Sequence, residues 1–336
     1  MKKSFLTRIV YANGLWMVGL LMLLLSVFGN ISYFYAEKQA AGISAFTDIY
    51  GKKIFGFQLD LLFQNFFVGY LFRFLLLFGS AFLLQFISSE FRLIRIRSFF
   101  PFFIFCVFSA TIIPIIPLDG TSVSCFFFCW SCLRLFAACE TGPVNRSVFD
   151  AFVLLAIASL FQSKIIFLVP VLWIVMGILQ IFSLKSFFAS LIGAFSIFWI
   201  IGGVSFLYED FTFLQKFSQD LIQHDLINFA SFPPAEIAYT SFLGILMISA
   251  MMSFWLRQHL EKLRTRNYLN SVLLLWFSLL ILWLFSGNDI GLLVILFCLS
   301  TLTVAHFFSL IDTMFSRSLF FILILLSIAV YFLLGN

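Results

Sequence analysis

The stretch NRSVFDAFVLLAIASLFQSKIIFLVPVLWIVMGILQIF, residues 145–182, decides the fold class. An apolar run from Val148 to Leu160 is followed by Phe161-Gln162-Ser163-Lys164, and a second apolar run from Ile165 to Phe182 begins at once. Arg146 and Lys185 bracket the pair on one side, while a short Gln-Ser-Lys turn closes the other. With Phe161 and Gln162 included, the first run is about 15 residues, short of the roughly 20 that cross a hydrocarbon core at 1.5 Å per residue. A short helix turning straight back into a longer one is a membrane hairpin.

The rest of the chain agrees. It has 336 residues, 62% hydrophobic and 10% charged, with a mean hydropathy of +1.10. A soluble domain of this length could not hide that much apolar surface, so lipid is the solvent for most of it. The 51 phenylalanines are attributed first to the base composition of the coding DNA and only then to function. A formal charge of +5 could suggest nucleic acid, but the basic residues form no patch. They sit at the ends of apolar runs, which is a topology signal. Lys2, Lys3 and Arg8 precede a long apolar stretch with no small-x-small exit, which reads as a retained first helix.

Eleven spans are expected, near residues 10–30, 61–88, 98–118, 121–139, 148–162, 165–182, 187–207, 237–256, 270–286, 290–310 and 318–334. With the amino terminus in the cytoplasm, fourteen Lys and Arg fall in inside segments or span ends, against five outside: Lys38, Lys52, Lys53, Lys164 and Lys216. Arg73 falls within a span. That asymmetry puts the amino terminus in the cytoplasm and the carboxyl terminus in the periplasm. Pro101, Pro114 and Pro117 crowd the third span. Broken helices persist in membranes only where protein or water satisfies the freed carbonyls, so this span is expected to face the bundle interior.

The chain reads as a single integral membrane domain, residues 1–336, with two large outer loops. The first, residues 35–60, carries Glu37, Lys38, Asp48, Lys52, Lys53 and Asp60. The second, residues 208–236, is acidic, and Leu214, Phe217, Leu221 and Ile222 recur in it at helical spacing. That spacing predicts an amphipathic helix along the outer interface, ended before Pro233-Pro234. The inside segment Arg257–Arg266 is the strongest basic cluster, a positive-inside anchor or, as the runner-up, a site for an anionic headgroup.

Two resemblances add to this reading. Asn145-Arg146-x-x-Phe149-Asp150-Ala151 followed by Ala156-Ile157-Ala158-Ser159-Leu160-Phe161 resembles a family of uncharacterised multi-pass inner-membrane proteins from Bacteroidota, over about residues 82–332. That likeness implies architecture and no activity. The hairpin is also similar to one in GT-C glycosyltransferases, where a small-residue helix ends in a Lys before a Pro-containing helix. Ala158-Ser159-Leu160, Lys164 and Pro170 fill those positions. In such enzymes an acidic residue of the first outer loop acts as base or metal-assisting group beside a lipid-phosphate donor. The resemblance therefore implies Glu37, Asp48 and Asp60 as catalytic candidates, with Arg73 and Lys164 steadying the lipid phosphate. The usual acidic pair directly after the first helix is absent, and Tyr35-Ala36-Glu37-Lys38 matches only in part. A divalent metal enters only through this resemblance; no cofactor is otherwise indicated.

Each candidate has a plainer reading. Arg73 lies in Tyr70-Leu-Phe-Arg-Phe-Leu-Leu, where a charge costs about 2.5–3.5 kcal/mol even on the lenient insertion scale. It either snorkels or bonds a helix end, or it grips a phosphate or carboxylate. A loop carboxylate is ordinarily a solvated surface charge. Four of the six cysteines fall in the fourth span, with Cys125, Cys129 and Cys132 at i, i+4 and i+7, and Cys129-Trp-Ser-Cys132 fits C-x-x-C. Burial disfavours thiolates, so all are read as small packing residues. His224, His259 and His306 show no ligand spacing, and no metal site is proposed. Asp150 and Asp312 are expected to pair with Arg146 and Arg317. No phosphate-binding Gly-rich loop, nucleophile elbow or nucleic-acid motif is present.

The expectation is an all-α polytopic helix bundle of the bacterial inner membrane, with lipid as its solvent. A GT-C-like role in envelope glycan or lipid-linked sugar chemistry leads. A non-enzymatic scaffold or accessory subunit of an envelope complex is the alternative, and a transporter ranks third because Arg73 is almost alone among mid-span charges.

Overall fold

The computed structural model describes residues 9, 14–28, 66–94, 98–112, 120–140, 143–207, 209, 211–222, 234–286, 289–310 and 313–334. Among these residues the secondary structure is entirely helical, with no strand. The helices are α1 (Leu15–Phe28), α2 (Phe66–Glu90), α3 (Phe100–Ile112), α4 (Gly120–Ala137), α5 (Val144–Phe161), α6 (Val169–Ile178), α7 (Leu184–Leu207), α8 (Thr212–Ile222), α9 (Pro234–Arg257), α10 (Leu263–Leu284), α11 (Ile290–Leu310) and α12 (Met314–Leu334). Seven of them (α2, α4, α5, α7, α9, α10 and α11) are long and apolar enough to cross a membrane. The apolar stretches of α1, α3, the α6 segment and α12 are shorter.

The hairpin at 145–182 differs from its expected form. α5 starts at Val144 and ends at Phe161, and Ser163–Leu168 then winds as a 3-10 helix before α6 begins. Pro170 occupies the first turn of α6, where its missing N–H removes no hydrogen bond. The second arm is thus two pieces rather than one continuous span.

α11 is the axis of the bundle. It packs against α2, α3, α4, α9 and α10, and its apolar window is wholly covered by protein. α3 lies beside it, with Phe100 and Phe102 to Phe108 all buried; Pro101 is in this helix, while Pro114 and Pro117 lie outside the described residues. Rings of Phe100, Phe308 and Phe320 meet edge-on or tilted where α3, α11 and α12 converge. α7 lies at the periphery, mainly against α5.

Neighbouring helices are tied by polar side chains and by small residues. Ser124 Oγ donates to Ala158 O at 3.0 Å and Ser131 Oγ to Ala151 O at 2.7 Å, joining α4 to α5. Trp173 Nε1 donates to Ser190 Oγ between α6 and α7, and Trp276 Nε1 to Ser300 Oγ between α10 and α11, both at 2.9 Å. Gly193 lets α7 approach α5 closely: a Cβ there would sit 2.7 Å from Phe149 O. With no hydrophobic force between helices in lipid, close backbones and cross-helix hydrogen bonds are what hold them.

Candidate functional site

The three carboxylates proposed from the first loop, Glu37, Asp48 and Asp60, lie outside the described residues. Arg73 is within them. It is 1% exposed in α2 and its side chain is engaged in interactions. It lies 17 residues before Glu90, about 25 Å along the helix axis.

That distance matters because the two ends of the bundle are chemically distinct. At one end Arg134 is ion-paired with Asp150, Arg264 approaches Glu140 at 4.0 Å, and His306 Nδ1 donates to Leu93 O at 2.6 Å. Asp150 thus pairs across to α4, because Arg134 projects from the facing helix, rather than with Arg146 in its own first turn. Arg257, Glu261 and His306 line a small cavity at the same end. At the other end, Lys164 Nζ donates to Ser286 O at 3.0 Å, and Gln162 Nε2 donates to Asp289. Asp289 Oδ1 accepts from Gly291 N at 3.0 Å, capping the start of α11. Arg73, at the far end of α2 from Glu90, lies toward the Lys164 end.

Lys164 is half-buried and its ammonium donates to the carbonyl of Ser286, two residues past the end of α10, a favourable place for a cation because carbonyls at a helix C-terminus lack helical partners. Its observed partner is therefore structural, and the Gln162–Asp289 bond beside it fastens the hairpin turn to the head of α11. A Cβ at Gly291 would lie 2.6 Å from Gln162 Oε1, so a larger residue there would push that side chain aside.

The segment between α7 and α9 holds helix α8. Its Phe217 is buried and meets Phe198 of α7 at a tilted 5.2 Å between ring centroids, while Gln215, Ser218 and Gln219 are exposed. α8 also packs on the 3-10 turn of the hairpin.

One constellation escaped the sequence reading. Cys125 and Cys129, one turn apart on α4, meet Cys298 of α11, and the three Sγ atoms lie within 4.8 Å of one another. Cys129 Sγ and Cys298 Sγ are 3.0 Å apart. All three are buried and none of the six cysteines is in a disulfide. Spacing within α4 put Cys125 and Cys129 on one face. It carried no signal for Cys298, 169 residues from Cys129, which only the packing of α11 on α4 brings in. Compared with known protein families, with characterised proteins and with solved structures, the chain matches none.

Proposed function

We propose that this chain is a polytopic protein of the bacterial inner membrane that handles an anionic, lipid-linked substrate at its outer half, with GT-C-like glycosyl transfer as the reaction class. In this reading all eleven apolar segments cross the bilayer, and the Arg134, Arg257 and Arg264 end faces the cytoplasm under the positive-inside bias. α8 lies along the outer interface with Phe217 inward. The observation that carries the proposal is Arg73: a permanent cation, 1% exposed, in an apolar helix and displaced toward the end opposite the basic one. An intramembrane charge is held at a cost of several kcal/mol, and function is the usual reason for retaining it.

The chemistry follows from the residue types. A carboxylate of the 35–60 loop (Glu37, Asp48 or Asp60) takes the proton of the acceptor hydroxyl. Arg73 steadies the charge that develops on the departing lipid phosphate. Lys164 fits this less well, because its ammonium already holds Ser286 O. A divalent metal belongs to the reading only if two of those carboxylates act together on it. The test is to substitute Glu37, Asp48, Asp60 and Arg73 singly and follow lipid-linked sugar turnover. Loss of the base is expected to cost about 10²–10⁴-fold and loss of the cation about 10²–10³-fold. Unchanged turnover in all four would end the enzymatic reading.

The second reading, a scaffold or accessory subunit of an envelope complex, is favoured by one feature. Phe188, Ile192, Phe195, Trp199 and Phe206 make an exposed, largely aromatic flank along α7. A pull-down in native lipid that returns a stoichiometric envelope protein, lost when Trp199 and Phe195 become Leu, would favour it. Labelling single cysteines placed at Lys38 and Arg264 tests the threading beneath both readings: they should react from opposite sides.

A further inference from the structure

We propose that Cys125, Cys129 and Cys298 form a binding site for a soft monovalent metal ion, Cu(I), in the interior of the bundle. Among the described residues the donor set is three cysteine sulfurs, brought together by two helices within 4.8 Å. Three sulfurs around one ion, each at the roughly 2.3 Å of a metal–thiolate bond, would stand about 4 Å apart in a trigonal arrangement. The observed separations, from 3.0 Å for Cys129–Cys298 up to no more than 4.8 Å, bracket that spacing. Thiolate donors select Cu(I), zinc and iron–sulfur centres. Zinc in closed protein sites takes four ligands, and among the described residues the group supplies three. Cu(I) accepts the three-sulfur set as it stands.

The placement is suited to a metal held by the fold rather than at its surface. Cys129 lies nine residues into α4 and Cys298 eight into α11, so the site is about 12–13 Å from the Lys164 end of each helix. Burial in an apolar surround resists a triple negative charge. A Cu(I) ion held by two thiolates and one retained thiol leaves a single negative charge, with two protons released as it binds.

The test uses the full chain in lipid nanodiscs under anaerobic conditions, with Cu(I) supplied as its coloured bicinchoninate complex. One equivalent should transfer from the chelator, with new near-ultraviolet sulfur-to-copper absorption. Cys125→Ser, Cys129→Ser and Cys298→Ser should each weaken uptake by more than the roughly 10–100-fold that loss of an outer-shell partner costs. Cys106→Ser and Cys139→Ser should leave it unchanged. Because three variants on two helices carry the same prediction, misfolding of any one does not remove the test. No transfer to the wild-type chain, or transfer retained in Cys125→Ser and Cys298→Ser, would overturn the site. Preferential retention of Zn(II) in direct competition would overturn its assignment to Cu(I).

Discussion

Helices α7 and α11 differ little in composition, with mean hydropathies of 2.1 and 2.2, yet protein covers 22% of one apolar window and 100% of the other. In water that difference would have been written into the sequence, because a surface helix needs a polar face. In lipid both faces are apolar, and hydropathy marks only that a helix is in the membrane. What distinguishes the two is detail. α7 concentrates its small residues, Ser186, Ser190, Gly193 and Ala194, on the face that meets its neighbours, and turns Ile192 and Trp199 outward. α11 spreads Cys298, Ser300, Thr301, Thr303 and His306 around its circumference, and all are buried. Small and polar groups, rather than apolar ones, record where the partners are.

The comparison breaks most readily by truncation. Leu299→Ala in α11, where the side chain is 2% exposed, should cost about 2–5 kcal/mol of stability through the cavity it leaves. Ile192→Ala in α7, 62% exposed, should fall within about 0.5 kcal/mol of wild type. Denaturation of the two variants in the same detergent measures the gap, and equal losses would contradict the burial contrast. A smaller effect is expected where α7 approaches α5 most closely at a glycine. Gly193→Ala pushes a Cβ toward Phe149 O, 2.7 Å away, and should cost about 1–3 kcal/mol; Gly202→Ala on the same helix meets nothing and should be neutral or slightly stabilising. Smallest is the polar tie on α11: Trp276→Phe removes the 2.9 Å bond to Ser300, and should cost about 0.6–1.7 kcal/mol.

How much was legible follows the same physics. The helical membrane class rests on apolar runs, and the ends of α11 fall at 290 and 310 as expected. Boundaries failed where charge was taken as a stop. α10 begins at Leu263, seven residues before the expected span, because Arg264 and Arg266 are good helix formers that extend a helix beyond the apolar layer. Other ends carried no glycine to announce them: α2 and α6 are followed by Arg92 and Gln180 at φ 51° and 60°, with Leu93 N bonding back to Ser88 O and Ile181 N to Met176 O. Such left-handed closures favour glycine, so other residue types there give little warning. Of the candidate groups, Arg73 was visible as a charge in an apolar run, whereas the thiol cluster needed the distant Cys298. The Lys164 bond to Ser286 likewise depends on tertiary packing and had no local signature.

The central place of α11 has a consequence for biogenesis. Residues 290–310 are synthesised after α2, α3, α4, α9 and α10, yet stand between or against all of them. Those earlier segments cannot reach their final arrangement until the ribosome has passed residue 310, so the growing chain goes without its own keystone until then.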